Sequence, residues 1–172
     1  MKQQFVNDAL QKFAKTVITQ SRANLTRQRK NVDKKLYDSL AYDLQVGPNS
    51  FSLSLLMEDY GDFQDKGVSG NEIKYNTPYS FRDKMPPVKP LAEWAKKRRI
   101  RLRDEQGRFA KGNYNTIGFL IARSIKRKGL KPSLFFTKPF EKHFEKLPQE
   151  VIEAFALDIE QFLKFTRDVD VQ

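Results

Sequence analysis

In SFSLSLL, residues 50–56, the alternation is strict up to Leu55: Phe51, Leu53 and Leu55 fall on one face, Ser50, Ser52 and Ser54 on the other. That two-residue period belongs to an antiparallel strand with one face covered and one wet, whereas a helix would scatter the same residues around its surface. The stretch takes the chain out of the all-helical class and raises the matter of what its apolar face packs on.

Upstream, helical spacing supplies a partner. Val6, Leu10, Phe13, Val17 and Leu25 recur at mostly three- or four-residue steps, and Val32, Leu36, Leu40 and Leu44 repeat every four. Each set makes one apolar stripe, with Asn31 as the N-cap expected between them and the cations of SRANLTRQRK in solvent. Helix is expected to run through KKLYDSLAYDL and to stop at Gly47-Pro48, because Pro lacks the amide donor and Gly favours a turn. Downstream, MEDYGDFQDKGVSG reads as a strand end opening into a loop, with Gly67 and Gly70 permitting turns.

NTPYSFRDKMPPVKP carries four of the eight prolines, so it should run extended over the surface. With few apolar anchors, the loop over 67–87 is expected to be mobile until it meets a partner. Pro90 opens a short helix bearing Leu91, Trp94 and Ala95. Ile117, Leu120, Ile121, Ser124 and Ile125 mark one face of another helix, which ends at Gly129. PSLFFTKPF reads as a short strand or extended segment. A last helix starts at Pro148 and should bury Ile152, Phe155, Ile159, Phe162 and Leu163. This order gives an α+β fold: a small antiparallel β-sheet with a long N-terminal helix and further helices packed on it, a basic β-hairpin projection and a C-terminal helix. One domain is expected over 1–147, with 148–172 as its C-terminal helical extension.

Composition restricts the chemistry. The chain has no Cys and a single histidine, His143, so thiolate catalysis is excluded and few transition-metal sites can be built. No apolar run approaches the roughly 20 residues of a membrane span, and MKQQFVNDALQ lacks a signal-peptide core, so a soluble intracellular product without membrane contact is expected. Neither a catalytic set nor a cofactor motif is present. The charge is concentrated: KKRRIRLRDEQGRFAKG, residues 96–112, holds eight Lys or Arg and two acids, and so supplies +6 of the formal +11.

Alternation of Ile100 and Leu102 with Arg99, Arg101 and Arg103, followed by DEQG, reads that stretch as a hairpin. Its cations, with Arg108, suit either an acidic protein surface or phosphates, against the bland reading of a solvated edge whose charge deters sheet-to-sheet pairing. With Phe109 as its only aromatic, base readout is disfavoured. Glu58, Asp59, Asp62 and Asp65 do not follow calcium-loop spacing and are read as the counter-charge for a neighbouring subunit's hairpin, or as an ordinary solvated loop. Phe135, Phe136 and Phe140 concentrate apolar area beside Pro139 and are candidates for a subunit or partner contact.

Taken together, KKLYDSLAYDL, the strand SFSLSLL and the entry DYGDFQDKG, then MPPVKPLAEWAKKRRI and IGFLIARSIKRKGLKPSLFFTKPFEKHF, resemble the head-tail connector and tail-completion (neck) proteins of tailed bacteriophages over about residues 5–147. The resemblance implies a structural virion protein without enzymatic activity, assembled in the host cytoplasm into a homo-oligomeric ring of six or twelve copies at the head-tail junction. It also implies portal, connector or tail proteins as partners, with genomic DNA as a secondary contact. The competing reading is a nucleic-acid-binding module that uses the basic hairpin.

Overall fold

The computed structural model describes residues 3–47 and 50–169. Along the chain run α1 (Gln4–Arg27), α2 (Lys35–Ser39), β1 (Ala41–Val46), β2 (Phe51–Leu56), α3 (Tyr60–Lys66), α4 (Val88–Lys97), α5 (Tyr114–Lys128), α6 (Thr137–Phe144) and α7 (Leu147–Val169). The fold is α+β, with a two-stranded antiparallel sheet. Two compact units divide the chain: unit 1 takes residues up to 28, 35–58 and from 135 onward, and unit 2 takes 29–34 and 59–134.

Unit 1 is built on α1, whose Val6, Leu10, Phe13, Val17 and Leu25 are all buried, as their spacing predicts. The second expected helix is largely a strand. Only Lys35–Ser39 is helical, and β1 then pairs with β2 in the register Tyr42 opposite Leu55 and Leu44 opposite Leu53. Gly47-Pro48 is accordingly not a helix end; the Gly47 amide donates to the Ser50 carbonyl at 2.7 Å across the link between the strands. Two periods overlap here. Leu36, Leu40 and Leu44 fit a helix, but Tyr42, Leu44 and Val46 also alternate, and pairing with β2 decides in favour of the strand.

Arg22 secures the junction. Its guanidinium donates to the carbonyls of Tyr37 and Leu40, both at 3.0 Å, and lies over the Tyr37 ring, so it caps the end of α2 rather than standing in solvent. Asn31 lies in the connection between α1 and α2, four residues before α2 begins and so away from its N-cap position.

Leu44, Leu53 and Leu55 face the α1 core, which α6 and α7 complete through Phe136, Phe140, Leu147 and Ala154. FFTKPF is mostly helix, not an extended segment. As α6 it sets Phe136, Phe140 and Phe144 at four-residue steps, stacked at 5.9 and 5.3 Å, with the Phe13 ring edge-on to Phe140 at 5.8 Å.

Unit 2 centres on the pair α4 and α5. The expected face of α5 is rotated: Ile117, Gly118 and Ala122 are buried, while Phe119 and Leu120 are exposed. A β-carbon on Gly118 would stand 2.8 Å from the Val88 carbonyl oxygen, so the two helix backbones approach where only glycine fits. MEDYGDFQDKGVSG contains α3, with Gly67 at its end in a positive-φ conformation. The loop that follows is fastened to the end of α5. Val68 and Leu130 exchange amide-carbonyl bonds at 2.9 and 2.8 Å, and the amides of Asn71 and Glu72 donate to the carbonyls of Lys126 and Arg127. A structural anchor that is hydrogen-bonded rather than apolar is invisible to a search for apolar anchors.

Candidate interaction surfaces

Three surfaces carry the expected site residues. The first is the basic hairpin. Gly107 turns it at φ +80°, Asp104 accepts from the amides of Gln106 and Arg108 at 3.0 and 2.8 Å, and the Ala110 amide donates to the Leu102 carbonyl at 3.0 Å. The Asp104 carboxylate also pairs with Arg108 at 3.1 Å. Leu102 is half-buried above Gly112, and every residue over 103–113 is exposed. Arg101 and Arg103 both lie over the ring of Phe109, their guanidinium carbons 5.3 and 4.5 Å from its centre. Beneath the hairpin an open cleft of about 460 Å³ is lined by Ile100, Leu102, Tyr114 and Ile117, with Arg101 and Lys111 on its rim.

The second surface is the acidic segment, and it is thinner than expected. Asp65 is 1% exposed, and its backbone carbonyl accepts from the amides of Ser133 and Leu134 at 2.9 and 3.0 Å. Burial pushes the Lys30 ammonium below its ordinary range, against the attraction of the Asp65 carboxylate. Asp62 accepts from the Tyr79 hydroxyl at 3.0 Å and pairs with Lys66 at 3.3 Å; that hydrogen bond raises the Tyr79 phenol above its usual range. Glu58 and Asp59 are the exposed acids left in this segment.

The third is the aromatic segment, where Phe135 is fully buried and Phe136 and Phe140 belong to the unit 1 core. These rings hold α6 onto α1, which accounts for their apolar load within the chain. No expected site residue lies on α7, yet among the described residues that helix carries six of the ten exposed large apolar side chains of unit 1. Leu147, Ala154 and Asp158 face inward, whereas Ile152, Phe155, Leu157, Ile159, Phe162 and Leu163 are exposed, Ile152 at 64% and Leu163 at 61%. The stripe was legible as an amphipathic pattern; its assignment to the core is corrected, because the small Ala154 and the carboxylate of Asp158 are what α1 accepts. Asp158 receives the amides of Phe5 and Val6 at 3.0 and 3.1 Å and so caps α1, which has no side-chain cap of its own.

Charge separates between the units. Unit 2 has 21 Lys or Arg against nine Asp or Glu, while unit 1 has 11 against 12. Among the described residues no group of three His, Asp or Glu is placed to hold a metal ion, and no helix is long and apolar enough to cross a membrane. Comparison with family models, with characterised proteins and with solved structures returns no match.

Proposed function

We propose that this chain is a structural subunit that assembles with copies of itself into a ring at the head-tail junction of a tailed bacteriophage, joining portal or connector to tail. The observation that carries the assembly part is the exposed stripe of α7. Five large apolar side chains, Ile152, Phe155, Ile159, Phe162 and Leu163, fall on one side of the helix and make a surface of the kind that marks a binding site. A membrane surface suits it poorly, since interfacial helices set Lys and Arg beside their apolar face and α7 has Glu150, Glu153 and Glu160. A protein surface with apolar groups and cations suits it better, and the chain has one in Phe119, Leu120 and Arg123 on α5. Two different patches that complement each other between copies give a heterologous contact, which closes into a ring when the rotation allows. The junction itself is supported by the sequence resemblance.

Native mass spectrometry over a concentration series tests this reading. One discrete closed oligomer is expected, with Ile152→Glu and Leu163→Glu together returning it to a folded monomer. A wild-type chain that stays monomeric throughout, or a double variant that assembles normally, overturns the assignment.

A further inference from the structure

The basic stretch finds little counter-charge in its own chain. Of the eight cations over 96–111, two have an ion-pair partner among the described residues, Lys97 with Asp33 at 3.3 Å and Arg108 with Asp104. Its exposed aromatics are occupied in one particular way. Arg98 lies over Trp94 at 5.6 Å, and Arg101 and Arg103 lie over Phe109. Arg98 and Arg103 each also give one N–H to a backbone carbonyl, of Arg29 and of Gly107; seated in this way, a guanidinium loses rotamer freedom before any ligand arrives and keeps its other N–H groups for phosphate oxygens.

We infer that this surface binds the phosphate backbone of double-stranded DNA, with Phe109 and Trp94 serving as seats that hold the arginines in place. Each alternative partner asks for something else. Single-stranded nucleic acid needs bare aromatic faces for base stacking, and here arginines take up those rings. A protein interface needs a charge-depleted apolar core, whereas the two large apolar side chains exposed over 94–113, Trp94 and Phe109, each lie under an arginine. Backbone binding asks for solvated Arg and Lys in excess over acids, which is what Lys96, Arg98, Arg99, Arg101, Arg103 and Lys111 provide, with Asp104 already paired to Arg108 and Glu105 the one other acid of the stretch. Sequence-independent affinity with steep salt dependence follows. This inference stands apart from ring assembly, since it rests on unit 2 and not on α7.

Fluorescence anisotropy with a duplex of arbitrary sequence, at roughly 50 and roughly 200 mM salt, is the test. Arg101→Glu with Arg103→Glu should weaken low-salt binding about tenfold or more and reduce the salt slope by about 2. Phe109→Ala keeps every charge; it should leave the slope unchanged and weaken binding several-fold, a result that charge alone would not produce. Lys12→Glu with Lys15→Glu on α1 should have little effect. Equal losses from the α1 pair, tighter binding to single strands or to phosphatidylserine vesicles than to duplex, or absence of wild-type binding at the lower salt overturns the inference. The masses of the same variants separate it from assembly: an arginine reversal that dissolves the oligomer and spares DNA binding makes the hairpin a protein contact and overturns it too.

Discussion

Asp158 is the side chain on which unit 1 turns. A carboxylate on a helix would ordinarily belong in solvent, and the residues around it spell an apolar stripe, so position alone offers no reason to bury it. The reason lies 153 residues away, where α1 begins without a capping side chain and leaves the amides of Phe5 and Val6 to be satisfied. Both oxygens are used, one for each amide, and the negative charge sits at the positive end of α1. Asp158→Ala should lower unfolding free energy by about 1–3 kcal/mol, because it strands two buried donors as well as removing a cap. Urea denaturation of the variant at neutral pH measures this, and a loss below a few tenths of a kcal/mol would mean that water replaces the carboxylate.

The elements differ in how far their own residues specify them. α1 and β2 were legible because each has one dominant period and one covered face, although Phe51 at the start of β2 stays exposed. β1 was not, since Leu36, Leu40 and Leu44 keep a four-residue step across a helix-to-strand change that only the neighbouring strand settles. α5 misled for another reason: its buried face is small, and Gly118 and Ala122 weigh nothing in a count of large apolar groups. Of the site residues, the hairpin arginines were found by charge and spacing, whereas Asp65 and Phe135 were assigned to surfaces they do not reach. Loop 67–87 shows the same limit, for its anchors are backbone groups. Gly129, at φ +75°, lets the Val68 carbonyl come within 2.2 Å of where a β-carbon would stand, and the crossing strands then share their hydrogen bonds. Hydrogen exchange should therefore find the amides of Val68, Ser69, Gly70, Asn71 and Glu72 protected in the isolated chain, while Lys74 and Asn76, whose amides have no such backbone bond, exchange early. Uniformly fast exchange over 67–81 would restore the expectation of a mobile loop.

At the scale of the whole molecule, the two units are interleaved along the chain, and that arrangement has a consequence for synthesis. Every residue of unit 2 has left the ribosome by 134, so its helices and hairpin can close while the rest is still being made. Unit 1 has no such freedom. Its helix α1 emerges before unit 2, but the stack of Phe136 and Phe140, the inward side of α7 and the Asp158 carboxylate come after it. Until then Val6, Leu10, Phe13 and Val17 form an apolar stripe with only the sheet to lie against, in a nascent chain whose finished half is strongly cationic. Limited proteolysis of chains stalled with residue 146 just outside the ribosome should find 59–134 resistant and α1 cut. Protection of α1 at that length would show that the sheet alone can hold it. The nascent chain thus passes through a stage at which α1 is greasy and the stretch beyond it positively charged, a combination that leaves the unfinished unit open to hydrophobic association.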